Sequence, residues 1–233
     1  RLDLIKLTGR SLVLVPSKPQ GDVIRQEIET KISYPTLDAS DIEETKETFT
    51  KQDHAVAIIA NRYDGIDFPG DECRLTFVEG LPTATNLQER FLMSRMAANT
   101  LFNERIQTRV LQAIGRCTRS LEDYSAVVVN GLDLRDYLTD KKRRRFLHPE
   151  IQAELQFGIE QSMNVTQDDF RAFMRTFLSN GDDWESANQD IIDLRDGLTQ
   201  EKFPAISDLE SSVLHEIDYQ ENLWQGDFVD AMD

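Results

Sequence analysis

The chain has 233 residues and a formal net charge of -16, with 42 Asp and Glu against 26 Lys and Arg. That length holds a sizeable core plus an appendage, and no apolar run approaches a membrane span or a signal peptide, so a membrane-spanning class is excluded. Cys73 and Cys117 are too few for a disulfide framework, and His54, His148 and His215 are isolated, so no metal site is expected and a reducing cytoplasm is the simplest setting.

In chain order, residues 12–15 read as a strand that ends near Ser17. A helix over 20–31 follows, with apolar Val23, Ile24 and Ile28. Ser40-Asp-Ile-Glu43 has the form of a capping box and opens a helix to about Lys51. Ala55-Val-Ala-Ile-Ile-Ala60 is a continuous apolar run, as expected of a fully buried parallel strand. A polar loop over 61–71 comes next, then a strand over 75–78 and one or two helices over 86–115. Residues 125–129 form the last strong strand, and 133–138 a further helical turn.

Strands alternating with helices predict a parallel sheet with covered faces, the RecA-like α/β architecture. Past His148-Pro149 the pattern is helical throughout, with starts near Pro149 and Thr166 and two further helices over about 186–197 and 206–222. The expected division is therefore a lobe over 1–147 and an all-helical extension over 148–233. Phe170, Phe173, Met174 and Phe177 form one apolar stripe, which fits core packing or docking against a partner. Residues 1–150 hold 22 basic and 23 acidic side chains, whereas 151–233 hold 4 and 19, so the acid is concentrated in the extension. The lobe is balanced and contains Lys141-Lys-Arg-Arg-Arg145, which fits either a phosphate path or a solvated face.

Two stretches carry candidate chemistry. Gln112-Ala-Ile-Gly115-Arg116-Cys-Thr-Arg119 closes the long helical pattern with two arginines three apart. Arginine presents a planar fork of donors suited to phosphate oxygens, and a pair held at a helix end can stabilise charge on a transferred phosphoryl group. A surface helix whose arginines pair with nearby acids fits the same run. The loop after the 55–60 strand holds Asn61-Arg62-Tyr-Asp-Gly65-Ile-Asp67, at the carboxyl end of a strand where open α/β sheets bind ligands. Gly65 would permit close backbone approach, and Asp67 is suited to accept from a ribose hydroxyl. An ordinary turn also fits.

Together these runs resemble motifs V and VI of superfamily-2 helicases, most nearly the XPD/DinG branch. Its second motor lobe carries a Glu-Gly-Val/Ile-Asp loop and a Q-x-x-G-R-x-x-R-S element. Here the loop is Asp64-Gly-Ile-Asp67, with Asp in place of the usual Glu, and the element is 112–120, continuing through Leu-Glu-Asp123-Tyr. Arg10-Ser-Leu-Val-Leu-Val-Pro-Ser17 is similar to that family's motif IV, and the resemblance covers roughly 10–140.

It implies an ATP-dependent DNA helicase or translocase. Arg119 would be the arginine finger on ATP, and Arg116 would touch the same phosphate or position the finger. Gln112 and Gly115 would hold the lobe against the nucleotide cleft, while Gly65 and Asp67 would meet the ribose. Ser17, Lys18, Asn61 and Arg62 would grip phosphates of single-stranded or forked nucleic acid, DNA in preference to RNA. No G-x-x-x-x-G-K-[ST] or D-E-x-H run is present, so the phosphate loop and the Mg2+ ligands are expected on a first lobe of the same polypeptide, without which this chain would be inactive. A non-catalytic binding module, with the acidic extension docking a protein partner, is the alternative.

Overall fold

The computed structural model describes residues 1–61, 66–81, 87, 91, 99–117, 123–203 and 206–232. The apolar runs form the strands β1 (Arg10–Val15), β3 (Ala55–Ala60), β4 (Leu75–Glu79) and β5 (Ala126–Asn130), joined by a two-residue strand β2 (Thr36–Leu37). All pairings are parallel, in the order β2-β3-β1-β4-β5. β1 lies at the centre and pairs with β3 from Arg10↔Ala55 to Val15↔Ala60. Buried on both faces, β1 and β3 have no need of polar alternation, which is why their sequences are continuous apolar runs.

Successive residues of each strand serve opposite faces. On one face Leu12, Leu14, Ala57 and Ile59 pack with Phe49, Phe68, Ile106, Val110, Leu134 and Tyr137. The helices Asn99–Ile114 and Leu132–Thr139, with the short helical turns before β3, cover this side. On the other face Val13, Val15, Val56, Ile58 and Phe77 pack with Ile5, Ile24, Ile28 and Met174. The helix Lys18–Ile32 approaches this face closely, since a Cβ at Gly21 would lie 3.3 Å from side-chain atoms of both Ile58 and Val15.

The C-terminal helices are Pro149–Gln161, Gln167–Ser179, Asp182–Asp196 and Ile206–Gln225. Gln167–Ser179 is part of the sheet's cover. Met174 is buried in the second cluster, and Phe177 packs at its margin and edge-on against Tyr124 and Trp184. Phe170 and Phe173, on the same expected stripe, remain exposed at 39% and 43%. A return segment ties the extension back to the lobe: Glu201 N–H donates to Arg145 O at 2.8 Å, and the buried Gln152 amide donates to Leu147 O and Thr199 O. Phe146 and Phe203 stack at 4.2 Å beside these bonds. The helix Ile206–Gln225 has no buried residue.

The architecture is therefore the expected RecA-like α/β sheet followed by helices. Local readings differ in three places. The helix expected from a Ser40 cap begins instead at Asp38, whose carboxylate accepts from Ser40 N and Asp41 N, with Asp41 completing the capping box. Asp38 wins because the chain leaves β2 in extended conformation there, one residue after Leu37. That helix stops at Glu44, and a separate turn, Glu47–Thr50, buries Phe49. A helix Leu2–Thr8 precedes β1 and buries Leu4 and Ile5, a seven-residue element too short to show a period. No described helix is long and apolar enough to cross a membrane.

Met174→Ala removes the side chain that joins the extension to the sheet. It should cost about 2–4 kcal/mol, typical of buried Met truncation, read as a lower urea midpoint at unchanged slope.

Candidate nucleotide and nucleic-acid interface

The helix Asn99–Ile114 buries Ile106, Val110 and Ala113 on the sheet and tightens into a 3-10 turn over Gly115–Cys117. That tightening turns Arg116 inward, to 4% exposure. A buried guanidinium is tolerated only when its donors find acceptors. Arg116 Nη1 donates to Ile66 O at 3.1 Å and to the Asp67 carboxylate at 2.9 Å. Its own carbonyl accepts from Phe68 N–H at 3.0 Å. The two stretches singled out in the sequence are thus joined directly, through both side chain and backbone. The Asp67 side chain is 41% exposed, so one side of the ion pair faces solvent.

The loop that supplies Asp67 leaves β3 at the carboxyl edge but does not stay there. Arg10, the first residue of β1, donates to Glu72 O, Gln52 O and Asp71 O at 2.8, 3.0 and 2.7 Å. Arg74 donates to Tyr124 O just ahead of β5. Residues 70–74 therefore lie at the amino edge of the sheet, and 66–68 cross its first face, with Phe68 wholly buried against Phe49. The expectation of a ligand loop beyond the carboxyl ends holds for Asn61 only. The connection carries no helix between β3 and β4 among the described residues, so it runs back along the sheet and brings Asp67 to Arg116.

Further bonds hold this crossing. Lys46 Nζ donates to Asp67 O and pairs with Glu72, both at 2.9 Å. Gly70 N–H donates to the Asp123 carboxylate at 2.9 Å, from a left-handed backbone at φ 63° that suits glycine. Cys117 Sγ lies 3.2 Å from Thr76 Oγ1, and Cys73 Sγ 3.2 Å from Leu75 O, both sulfurs buried beneath the same loop. Burial pushes the Cys73 thiol well above its ordinary pKa, which keeps it protonated.

Ser17, Lys18 and Asn61 gather at the opposite, carboxyl edge. Val15 and Ala60 are paired neighbours, and Asn61 N–H extends the ladder to Val15 O at 2.9 Å from a left-handed conformation of its own. Ser17 occupies the N-cap of Lys18–Ile32 without a side-chain capping bond, and Lys18 is exposed. The structure thus brings Ser17, Lys18 and Asn61 together, and Asp67 and Arg116 together, on two separate edges. Gln112 is exposed on its helix. Gly115 is half-buried, and a Cβ there would meet nothing within 4 Å, so the lobe's own packing does not require glycine at that position. Arg62, Gly65 and Arg119 lie outside the described residues.

Sequence reasoning missed Arg10, Lys46 and Asp123, which fasten the loop. Arg10 and Asp123 stand inside the motif stretches, but carbonyl acceptors leave no mark in a sequence. The basic run 141–145 is engaged locally: Arg143 pairs with Asp140 and lies over Tyr137, and Arg145 pairs with Glu201. Among the described residues no cluster of His, Cys, Asp or Glu is arranged to hold a metal ion.

A parallel RecA-like sheet whose β3 loop is joined to a helix-terminal arginine defines an α/β motor-lobe class. Residues 2–150 match the family of the helicase C-terminal domain, and the chain belongs to that family. No curated protein matches the chain.

Arg116→Met keeps an unbranched apolar stem but leaves Ile66 O and Asp67 without this donor. A loss of about 1–3 kcal/mol is expected in urea unfolding, the usual cost of a buried acceptor left unmet.

Proposed function

We propose that this chain is the second motor lobe of an ATP-dependent DNA helicase or translocase of the XPD/DinG-like branch, working with a first lobe elsewhere in the polypeptide and inactive alone. The observation that carries this reading is the direct tie between the Asp67 loop and the segment leading to Arg119, through Phe68 N–H, Arg116 and Ile66 O. Occupancy of one stretch by a nucleotide is thereby felt by the other without any intervening flexible element.

ATP with Mg2+ would enter from the first lobe and supply the phosphoryl chemistry. Asp67, with its exposed carboxylate side, is suited to accept a ribose hydroxyl. Arg116 is buried and committed to the loop, which favours positioning over phosphate contact among its two expected roles. Arg119 would be the finger, and Gln112, exposed on the same helix end, would reach across the cleft. Ser17, Lys18 and Asn61 at the other edge, with Arg62 beside them in sequence, would hold one strand by its phosphates. Contacts of that type track a backbone and do not read bases. The setting proposed is cytoplasmic.

A second reading, a binding module docking a protein partner through its extension, draws on one observation. Residues 206–233 contain no Lys or Arg, and Leu214 and Trp224 of the terminal helix are 70% and 92% exposed.

The test is ATP hydrolysis by the intact parent polypeptide with and without single-stranded DNA. Stimulated turnover that falls on the order of 10³-fold or more in Arg119→Ala, with folding intact, is expected. A parent with an intact phosphate loop that is inert with every nucleic acid would overturn the motor reading in favour of the binding module.

A further inference from the structure

We infer that Asp123 is a positioning residue for Arg119, acting through the backbone of Gly70; this rests on the finger role proposed above. The stretch that carries Arg119 runs between Arg116 and Asp123. Its upstream end is fastened by Phe68 N–H to Arg116 O and by the Arg116 guanidinium to Ile66 O and Asp67. Its downstream end is fastened by Asp123 Oδ1 to Gly70 N–H at 2.9 Å. Both anchors land on the one short stretch 66–70, so the finger segment is a closed loop seated on the nucleotide-facing loop.

That seat is itself immobilised from the far side. Three carbonyls of the surroundings, those of Gln52, Asp71 and Glu72, converge on the single guanidinium of Arg10, and Lys46 bridges Asp67 O to Glu72. A segment tied at one end pivots; tied at both ends to a rigid base it keeps few conformations. A carboxylate accepting from a backbone N–H makes the stronger, charge-assisted kind of bond. Gly70 supplies the matching half, because its left-handed backbone is strained for any residue with a Cβ although nothing within 4 Å would block one. Immediately after Asp123 the chain is received by Arg74, whose guanidinium donates to Tyr124 O and lies 3.8 Å from the Tyr124 ring. The loss of Asp123 would thus release the finger segment while leaving the entry to β5 in place.

The experiment measures steady-state ATP turnover of the intact parent polypeptide with single-stranded DNA. Asp123→Ala should lower kcat by about 10²-fold, the scale of a 1 Å misplacement at a reacting centre, with KM for ATP within a few-fold of normal. Asp123→Asn keeps the acceptor oxygen and should recover most of the turnover. In an Arg119→Ala background Asp123→Ala should add no further loss, because both changes remove one transition-state contact. A merely structural role would lower turnover in both backgrounds alike.

Wild-type kcat in Asp123→Ala, or losses that multiply with those of Arg119→Ala, would overturn the inference and leave the motor reading intact. Full turnover in Arg119→Ala would overturn the finger assignment and this inference together. If Asp123→Ala does not fold, Asp123→Glu, which keeps the charge but displaces the acceptor by one methylene, is read by the same criteria.

Discussion

The arrangement depends on one buried guanidinium. Arg116 is enclosed where the helix Asn99–Ile114 ends, and a charge in that position is stable only while Ile66 O and Asp67 receive it. The requirement runs in both directions. The helix end cannot shift without exposing Arg116 or stranding it, and the loop cannot lift without taking its acceptors away. Two segments about fifty residues apart in sequence therefore behave as one rigid piece, more firmly than apolar packing alone would hold them, because hydrogen bonds fix direction as well as distance.

That rigid piece sits on one face and toward the amino edge of the sheet, while Ser17, Lys18 and Asn61 sit at the carboxyl edge. The two are connected by β1 and β3. Arg10, at the start of β1, grips the loop, and Ser17 follows the end of the same strand. Central strands buried on both faces do not flex locally, so a displacement imposed at one edge reaches the other as a movement of the whole sheet. A lobe built in this way suits rigid-body motion against a neighbour better than internal rearrangement.

Much of this is legible in the sequence, for identifiable reasons. β1, β3, β4 and β5 are visible because parallel strands buried on both sides are written as unbroken apolar runs. The tie between residues 61–71 and 112–119 is suggested only by their joint resemblance to motifs. What stays hidden shares one cause: it is made by backbone atoms or by very short elements. β2 has two residues, and Asp38 outcompetes Ser40 as a cap only because β2 ends beside it. The path of the 61–74 connection departs from expectation because polar composition says that a segment is a loop but not which edge it serves. Arg10, Lys46 and Asp123 exert their effect on carbonyls and an amide that every residue type possesses.

The extension shows why a change in composition need not mark a structural boundary. The charge balance breaks sharply near residue 150, yet Gln167–Ser179 lays Met174 and Phe177 on the sheet, and the helix Pro149–Gln161 packs Leu155 toward the opposite cluster. One helix of the acidic region therefore serves each side of the sheet near β5, the edge that would otherwise stand open. Acidic side chains on the outer surfaces of these helices are compatible with that duty, since only the apolar stripe meets the lobe. The same reasoning separates the last helix from the others. Ile206–Gln225 has the spacing of a packing stripe in Leu209, Val213 and Ile217, each 41–48% exposed, but no surface of the described residues receives it. Within one acidic extension, then, the helices up to Asp196 are part of the lobe's own architecture, and the final helix is not.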